Sequence, residues 1–280
     1  TKTLFVIIRI DDPLDTRLDP FRWRDRQLAS KSDRREIVGA GLFVAEGDLV
    51  VRRALDAQCV PVALLCDDIT GEAMSRDVDS TLPIYVGNED LRREVTGLGV
   101  PLRATGLFRR PALIDAHVLI ARSRRILVAE AVDNPTNLGA IVRSAAGLGW
   151  DALLLSDGSA DTLARRALRV SMGTALTLPF ARLEPGTSLH QILAEHSVTT
   201  FALTPDPSAR DIADVEIEAD ASIALLMGSE RDGLQDESIQ QAHHTVRIPM
   251  HAGVDSLNVG VAAAIAMSSM IISQGSPMRL

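Results

Sequence analysis

Ile248-Pro249-Met250-His251-Ala252-Gly253-Val254-Asp255-Ser256-Leu257-Asn258-Val259-Gly260, running on into Val261-Ala262-Ala263-Ala264-Ile265-Ala266-Met267, is the stretch whose reading decides the fold. An apolar strand ends at Pro249, a loop of small residues follows, and Ser256 or Asp255 is placed to cap an alanine-rich helix that starts at Leu257. A buried strand that feeds a capped helix through a glycine-containing turn is how α/β proteins bring polar side chains to a binding crevice. Gly260 and Ala264, four residues apart, let a second backbone pack closely; by themselves they mean tight helix packing.

Upstream of that stretch the same alternation repeats. Strands are expected at Ile126 to Ala129, Ala152 to Leu155, Leu176 to Phe180, Thr200 to Leu203, Ile223 to Met227 and Thr245 to Ile248. Helices are expected between them at Ala140 to Leu148, Asp161 to Val170, Leu189 to Ala194 and Ser238 to Ala242. Several of these strands are apolar throughout, which implies a mostly parallel sheet covered on both faces, an α/β domain over 123–280. Residues 36–105 read as a smaller α/β unit, with strands at Leu42 to Val44, Val60 to Leu65 and Pro83 to Val86 and helices at Gly47 to Ala57 and Glu89 to Val95. Residues 106–122 are read as a linker, and 1–35 as an extension with a short strand at Leu4 to Ile8. Phe21 and Trp23 lie among its arginines, where they either stack on bases or anchor the extension.

Across 280 residues, 46% hydrophobic content and 24% charge are those of a globular chain with a sizeable core. No apolar run approaches a membrane span, and Leu4 to Ile10 is too short for a signal peptide. Cys59 and Cys66 are the only cysteines and form no motif, which fits a reduced, cytoplasmic setting. The net charge of −8 is unevenly spread. Ten acids face only Arg210 and Arg231 over 205–240, whereas eight arginines face only Glu94 and Asp115 over 92–125. Local basic density decides whether a phosphate backbone can be held, so the second window is either a nucleic-acid surface or an ordinary solvated one.

Three polar constellations interrupt the apolar frame. Asn134-Pro135-Thr136-Asn137-Leu138-Gly139-Ala140-Ile141-Val142-Arg143-Ser144-Ala145 follows a strand; Asn137 is a good helix cap, and Arg143 leans back over Gly139, where a guanidinium forks a phosphate or simply meets solvent. Leu225-Leu226-Met227-Gly228-Ser229-Glu230-Arg231-Asp232-Gly233-Leu234 stops a buried strand at a glycine and sets Glu230 at its carboxyl end. The third is the stretch quoted first, with Ser256 and Asn258 on either side of Leu257.

In this order and spacing the segments 137–145, 228–234 and 248–259 resemble the three signature motifs of the SpoU/TrmH family, S-adenosylmethionine-dependent RNA ribose 2′-O-methyltransferases of the SPOUT superfamily. The resemblance covers roughly 123–275. More loosely, Phe43-Val44-Ala45-Glu46-Gly47 before a helix is similar to the L7Ae/L30e-type RNA-binding domain of rRNA-directed members. The resemblance implies a SPOUT α/β-knot, a deep trefoil that chain-threading rules would reject. It also implies an S-adenosyl-L-methionine site at Leu203, Thr204, Gly228, Ile248, Met250 and Leu257, and catalytic roles for Asn137, Arg143, Glu230, Ser256 and Asn258. Family proposals make the arginine a general base; a guanidinium keeps its proton throughout the working pH range, which favours a positioning role. A homodimer through the C-terminal helix, with Val261, Ile265 and Met267 as its surface, is implied as well.

The two-domain layout points to 23S rRNA, in either a housekeeping or an antibiotic-resistance setting, with a tRNA 2′-O-methyltransferase as the alternative. A methyltransferase-like domain that docks on RNA without catalysis is the reading from another class, and the intact polar set argues against it. A Rossmann oxidoreductase is the other enzyme reading, disfavoured because the first strand–helix turn has no G-x-G-x-x-G and no acidic residue in place for a ribose. No membrane partner is expected, and no metal, since His243, His244 and His251 lack ligand spacing.

Overall fold

A computed structural model of the chain describes residues 7–29, 41–251 and 256–273. It contains two compact units, Thr1–Ala112 with Leu163–Leu176, and Leu113–Thr162 with Thr177–Leu280.

The first unit is built on a five-stranded mixed sheet in the order β1 (Ile7–Arg9), β4 (Ile84–Val86), β3 (Pro61–Cys66), β5 (Ala104–Arg109), β2 (Leu42–Glu46). β1, β4 and β3 run parallel, and β5 is antiparallel to both β3 and β2. Phe43 of β2 stacks on Phe108 of β5 with centroids 5.4 Å apart, closing one face of the core. Cys66 is buried at the end of β3, and burial pushes its thiol up to about 12, so it packs as a small hydrophobe. Of the aromatics in the arginine-rich opening, Phe21 is fully buried edge-on to Tyr85 and Trp23 packs against the same cluster, so both anchor the segment.

The stretch 106–122 carries most of β5 and a helix, Ala116–Ala121, started by the Asp115 carboxylate, which accepts from the Val118 N–H at 3.1 Å. The apolar Gly106-Leu107-Phe108 run is fully buried between β2 and β3, and only its Arg109-Arg110-Pro111 sequel has the composition of a loop. The arginine-rich window is largely engaged in holding its own fold. Buried Arg92 donates to the carbonyls of Gly87 and Leu102, Arg110 to that of Leu42, and Arg124 to that of Ala219. Arg93 pairs with Asp90, whereas Arg103, Arg109 and Arg122 are exposed.

The helix Arg165–Val170 belongs to this first unit. It begins later than its sequence pattern suggests because its cap is supplied from elsewhere: the Asp25 carboxylate accepts from the Arg165 N–H at 3.2 Å. Glu46, at the end of β2 and almost fully buried, accepts from Arg165 at 2.7 Å on one oxygen and from Arg169 on the other. A buried carboxylate with both oxygens engaged avoids the desolvation cost of an isolated charge.

The second unit holds seven parallel strands in the order β10 (Arg210–Asp211), β12 (His244–Arg247), β9 (Thr199–Leu203), β11 (Ile223–Met227), β6 (Arg125–Ala129), β7 (Ala152–Leu155), β8 (Phe180–Arg182). β7 and β11 are buried at every residue, as their unbroken apolar runs require of a sheet covered on both faces. β8 lies two residues or more beyond the expected Leu176 to Phe180. The residues Thr174–Leu176 form a 3-10 turn, and Pro179, which has no N–H to donate, precedes the strand.

The helix Pro135–Gly147 starts five residues before the expected Ala140. Asn134 caps it, accepting from the Thr136 N–H at 2.9 Å, and Pro135 occupies the first turn, where a missing N–H costs nothing. Asn137 is therefore inside the helix and buried, not its cap. The C-terminal helix Val259–Ser273 is apolar all round and packs on the Pro135–Gly147 helix. At the crossing a Cβ on Gly260 would sit 3.2 Å from Ala140 Cβ and 3.7 Å from the Asn137 carbonyl, so the small residue there does allow the close approach. Neither Ser256 nor Asp255 is seen to cap that helix: Asn258 does so, and Asp255 lies outside the described residues.

Candidate active site

β12, β9 and β11 are neighbours in the sheet, so their carboxyl ends stand side by side. A cavity of about 440 Å³ opens there, in the size range of small-molecule sites. Leu203 and Thr204 enter it from the end of β9, Gly228 from the end of β11, and Ile248 and Met250 from beyond β12, with Leu257 closing the far side. All six residues expected at the cofactor site thus line one cavity. Glu230 and Ser256 line it too. Asp236 and Ile239 also reach it, from the helix Asp236–Gln241; their three-residue spacing on a helix face was legible, but nothing in the sequence said which way that face turned.

The wall between β11 and that helix is a tight turn. Ser229 and Gly233 exchange two backbone hydrogen bonds of 3.1 Å, and the Ser229 hydroxyl accepts from the Asp232 N–H at 3.1 Å. This closure brings the Gly233 carbonyl and the Leu234 nitrogen against Gly228, inside the space a Cβ would occupy. Gly228 is glycine because another backbone lies where its side chain would be. Gly233, with φ of 71°, supplies the left-handed residue that completes the turn.

Glu230 sits on this turn and meets Asn137, whose amide nitrogen donates to the Glu230 carboxylate. The Asn258 amide in turn donates to the Asn137 carbonyl oxygen at 3.0 Å. Asn258 Oδ1 then accepts from the N–H groups of Gly260 at 3.0 Å and Val261 at 3.4 Å, at the start of the C-terminal helix. The two ends of this chain fix the orientation of both amides. A carboxylate can only accept, so Asn137 must turn its NH₂ to Glu230; helix N–H groups can only donate, so Asn258 must turn its oxygen to them. One directed relay, Asn258 to Asn137 to Glu230, therefore ties the three polar constellations together.

Arg143 stands apart from it. It lies six residues further along the Asn137 helix, about 9 Å of rise, is exposed, and has no hydrogen-bond or ion-pair partner among the described residues. The histidines have other partners: His243 Nδ1 is held by the N–H of Thr200 at 3.1 Å, and His244 stacks on Phe201. Among the described residues no group of three His, Cys, Asp or Glu side chains is placed to hold a metal, and no helix is long and apolar enough to cross a membrane.

Residues 124–268 match the SpoU rRNA Methylase family, and that span is more than half of the chain. The chain belongs to the SpoU rRNA methylase family. It is similar over 262 residues, at 38% identity, to an uncharacterized tRNA/rRNA methyltransferase of Mycobacterium tuberculosis, with 91% of this chain and 88% of the relative covered. Over 241 residues it is 28% identical to the 23S rRNA (guanosine(2553)-2′-O)-methyltransferase RlmP of Bacillus subtilis, covering 86% of this chain and 91% of the relative. Among solved structures, the AdoMet-bound rRNA methyltransferase from Sinorhizobium meliloti shares the fold, with a TM-score of 0.78 at 23% identity over 95% of this chain and 98% of that one.

Proposed function

We propose that this SpoU-family protein transfers the methyl group of S-adenosylmethionine to a ribose 2′-hydroxyl of RNA, with 23S rRNA as the substrate. The relay from Asn258 through Asn137 to Glu230, at the rim of the strand-end cavity, is the observation that carries this reading. The 23S relative RlmP, aligned along most of both chains, supports the substrate.

The cavity residues fit the cofactor. Leu203, Ile248, Met250 and Leu257 give it apolar walls, and among the described lining residues Glu230, Asp232 and Asp236 outnumber the one cation, Arg231. Apolar walls with an excess of carboxylate suit a ligand that joins an aromatic base to a cationic centre. When bound, S-adenosylmethionine supplies a methyl group on positively charged sulfur, so no metal is needed to activate it. The protein's tasks are to align the ribose oxygen and to ease loss of its proton. Alignment alone is worth roughly 7–11 kcal/mol in favourable cases. Asn137 and Asn258, locked by the relay, and Ser256 beside them orient the ribose. Arg143, exposed and without a partner among the described residues, grips the adjoining phosphate as a planar fork.

Arg143→Lys is expected to lose about 10²-fold or more of methyl transfer while S-adenosylmethionine affinity stays unchanged. Near-normal turnover in that variant would remove Arg143 from the mechanism. The first unit, Thr1–Ala112 with Leu163–Leu176, binds the RNA substrate, and the C-terminal stretch is threaded as the trefoil knot, with residues 252–255 outside the described residues. The enzyme works in the cytoplasm as a homodimer. Val261, Ile265 and Ile272 form an exposed apolar stripe on the C-terminal helix; Met267, expected on that surface, is fully buried in its own chain. Sedimentation at micromolar concentration should give twice the mass of one chain, and a monomer there would exclude this interface. Methyl-labelled S-adenosylmethionine incubated with the protein and separate 23S and tRNA transcripts tests the activity. Label is expected in 23S rRNA; label in tRNA alone would move the substrate, and label in neither would leave a docking protein.

A further inference from the structure

The relay depends on the turn that carries Glu230 being held at a fixed distance from the helix that carries Asn137. One end of that turn is closed by Gly228 and Gly233. The other runs into the helix Asp236–Gln241, which receives no cap from the side chain of its own N-cap residue, Gln235. The missing acceptor comes from another strand. Glu130, the residue after β6, is only 5% exposed, and its carboxylate accepts from the Gln235 N–H at 2.6 Å on one oxygen and from the buried Ser238 hydroxyl on the other.

The main chain of Glu130 is fixed as well. Its N–H donates to the Met227 carbonyl at 2.8 Å, extending the β6–β11 pairing one residue past the end of β6, at the last residue of β11 before Gly228. Ala131 follows in a left-handed conformation, φ of 53°, with its N–H on the Ser156 hydroxyl at 3.0 Å. From there the chain turns into the Asn137 helix. Glu130 therefore leads into one half of the relay through its backbone and pins the other half through its side chain.

We infer that Glu130 is a positioning residue for the methyl-transfer site, acting through Gln235 and Ser238 to hold the Glu230 turn against Asn137. This rests on the proposed reaction for its kinetic consequences, but the placement itself has a readout that needs no catalysis. The carboxylate is required as an acceptor at Gln235. At Ser238 the hydroxyl can rotate to accept instead, so glutamine, with its oxygen toward Gln235 and its NH₂ toward Ser238, satisfies both contacts. Alanine satisfies neither and leaves buried donors without partners.

The test compares Glu130→Ala and Glu130→Gln in the full-length protein, with Ser238→Ala as a milder variant that removes one of the two contacts. In the apo-protein, hydrogen exchange at the Ser229 and Gly233 amides is expected to rise about tenfold or more in Glu130→Ala, while β7 amides keep their protection. Glu130→Gln should stay near the native rate and Ser238→Ala should fall between. With S-adenosylmethionine and RNA, Glu130→Ala should raise the cofactor KM and lower kcat, leave RNA affinity unchanged, and be rescued by glutamine. Unchanged exchange at Ser229 and Gly233 in Glu130→Ala would overturn the inference, as would a loss spread evenly over turn and β7 amides. Should the native protein transfer no methyl group, the functional reading fails while the exchange data still decide the role of Glu130.

Discussion

Asn137→Asp is expected to abolish methyl transfer, with a loss of roughly 10²-fold or more in kcat/KM, although it changes one NH₂ group for an oxygen. The native amide donates to Glu230 and accepts from Asn258. Aspartate keeps the acceptor but turns its second oxygen on the Glu230 carboxylate, so a hydrogen bond becomes a contact between like charges. The Glu230 turn must swing away or one carboxyl must take up a proton, and either outcome displaces the groups that orient the ribose. Alanine at the same position removes both bonds without adding a charge. Asn137→Asp should therefore be the more damaging of the two in turnover, and by about 1–3 kcal/mol the less stable than the native protein in denaturant unfolding. An aspartate variant that matches the native enzyme in both measurements would dissolve the relay.

Gly228→Ala is expected to be the most damaging single methyl group in the cavity. Its Cβ would fall on the Gly233 carbonyl and the Leu234 nitrogen, which are backbone atoms held by the Ser229–Gly233 bonds and cannot rotate aside. Overpacking of a core side chain costs about 1–3 kcal/mol, and here the clash falls on main chain, so the turn must open. Affinity for S-adenosylmethionine should fall about 10²-fold or more, equivalent to roughly 2.7 kcal/mol. Gly233→Ala is the informative comparison. No atom lies within 4 Å of its Cβ position, so only the left-handed backbone resists, at about 1–2 kcal/mol. Titration calorimetry of both variants should rank Gly228→Ala far below Gly233→Ala, and the reverse order would contradict the turn geometry.

Much of the frame was legible because local pattern and burial agree. Ile223 to Met227 has no polar residue and, at five residues, fits a strand buried on both faces, which is found with those bounds. The six expected cofactor residues meet in one cavity because three parallel strands, each recognisable alone, end together. Legibility failed where a residue's role is set through space. Asn134 and Asn137 are both good caps, and only the proline between them decides that the first one caps and the second turns inward. In the sequence Gly228 reads as the glycine that ends a buried strand, whereas in the fold the space of its missing side chain is taken by the Gly233 backbone. The relay joins residues 93 and 121 positions apart, a separation no periodicity spans. Met267 fell on the wrong face because a helix apolar all round gives no signal of which stripe is covered.

The most direct test of the account maps ribose methylation nucleotide by nucleotide in 23S rRNA incubated with S-adenosylmethionine and either the native protein or Asn137→Asp. A methylated 2′-oxygen cannot attack its neighbouring phosphate, so each modified site reads as one bond resistant to alkaline cleavage. The account predicts a single newly protected nucleotide with the native protein and none with Asn137→Asp. An unchanged cleavage pattern with a native protein that binds S-adenosylmethionine, or equal protection by the variant, would contradict it.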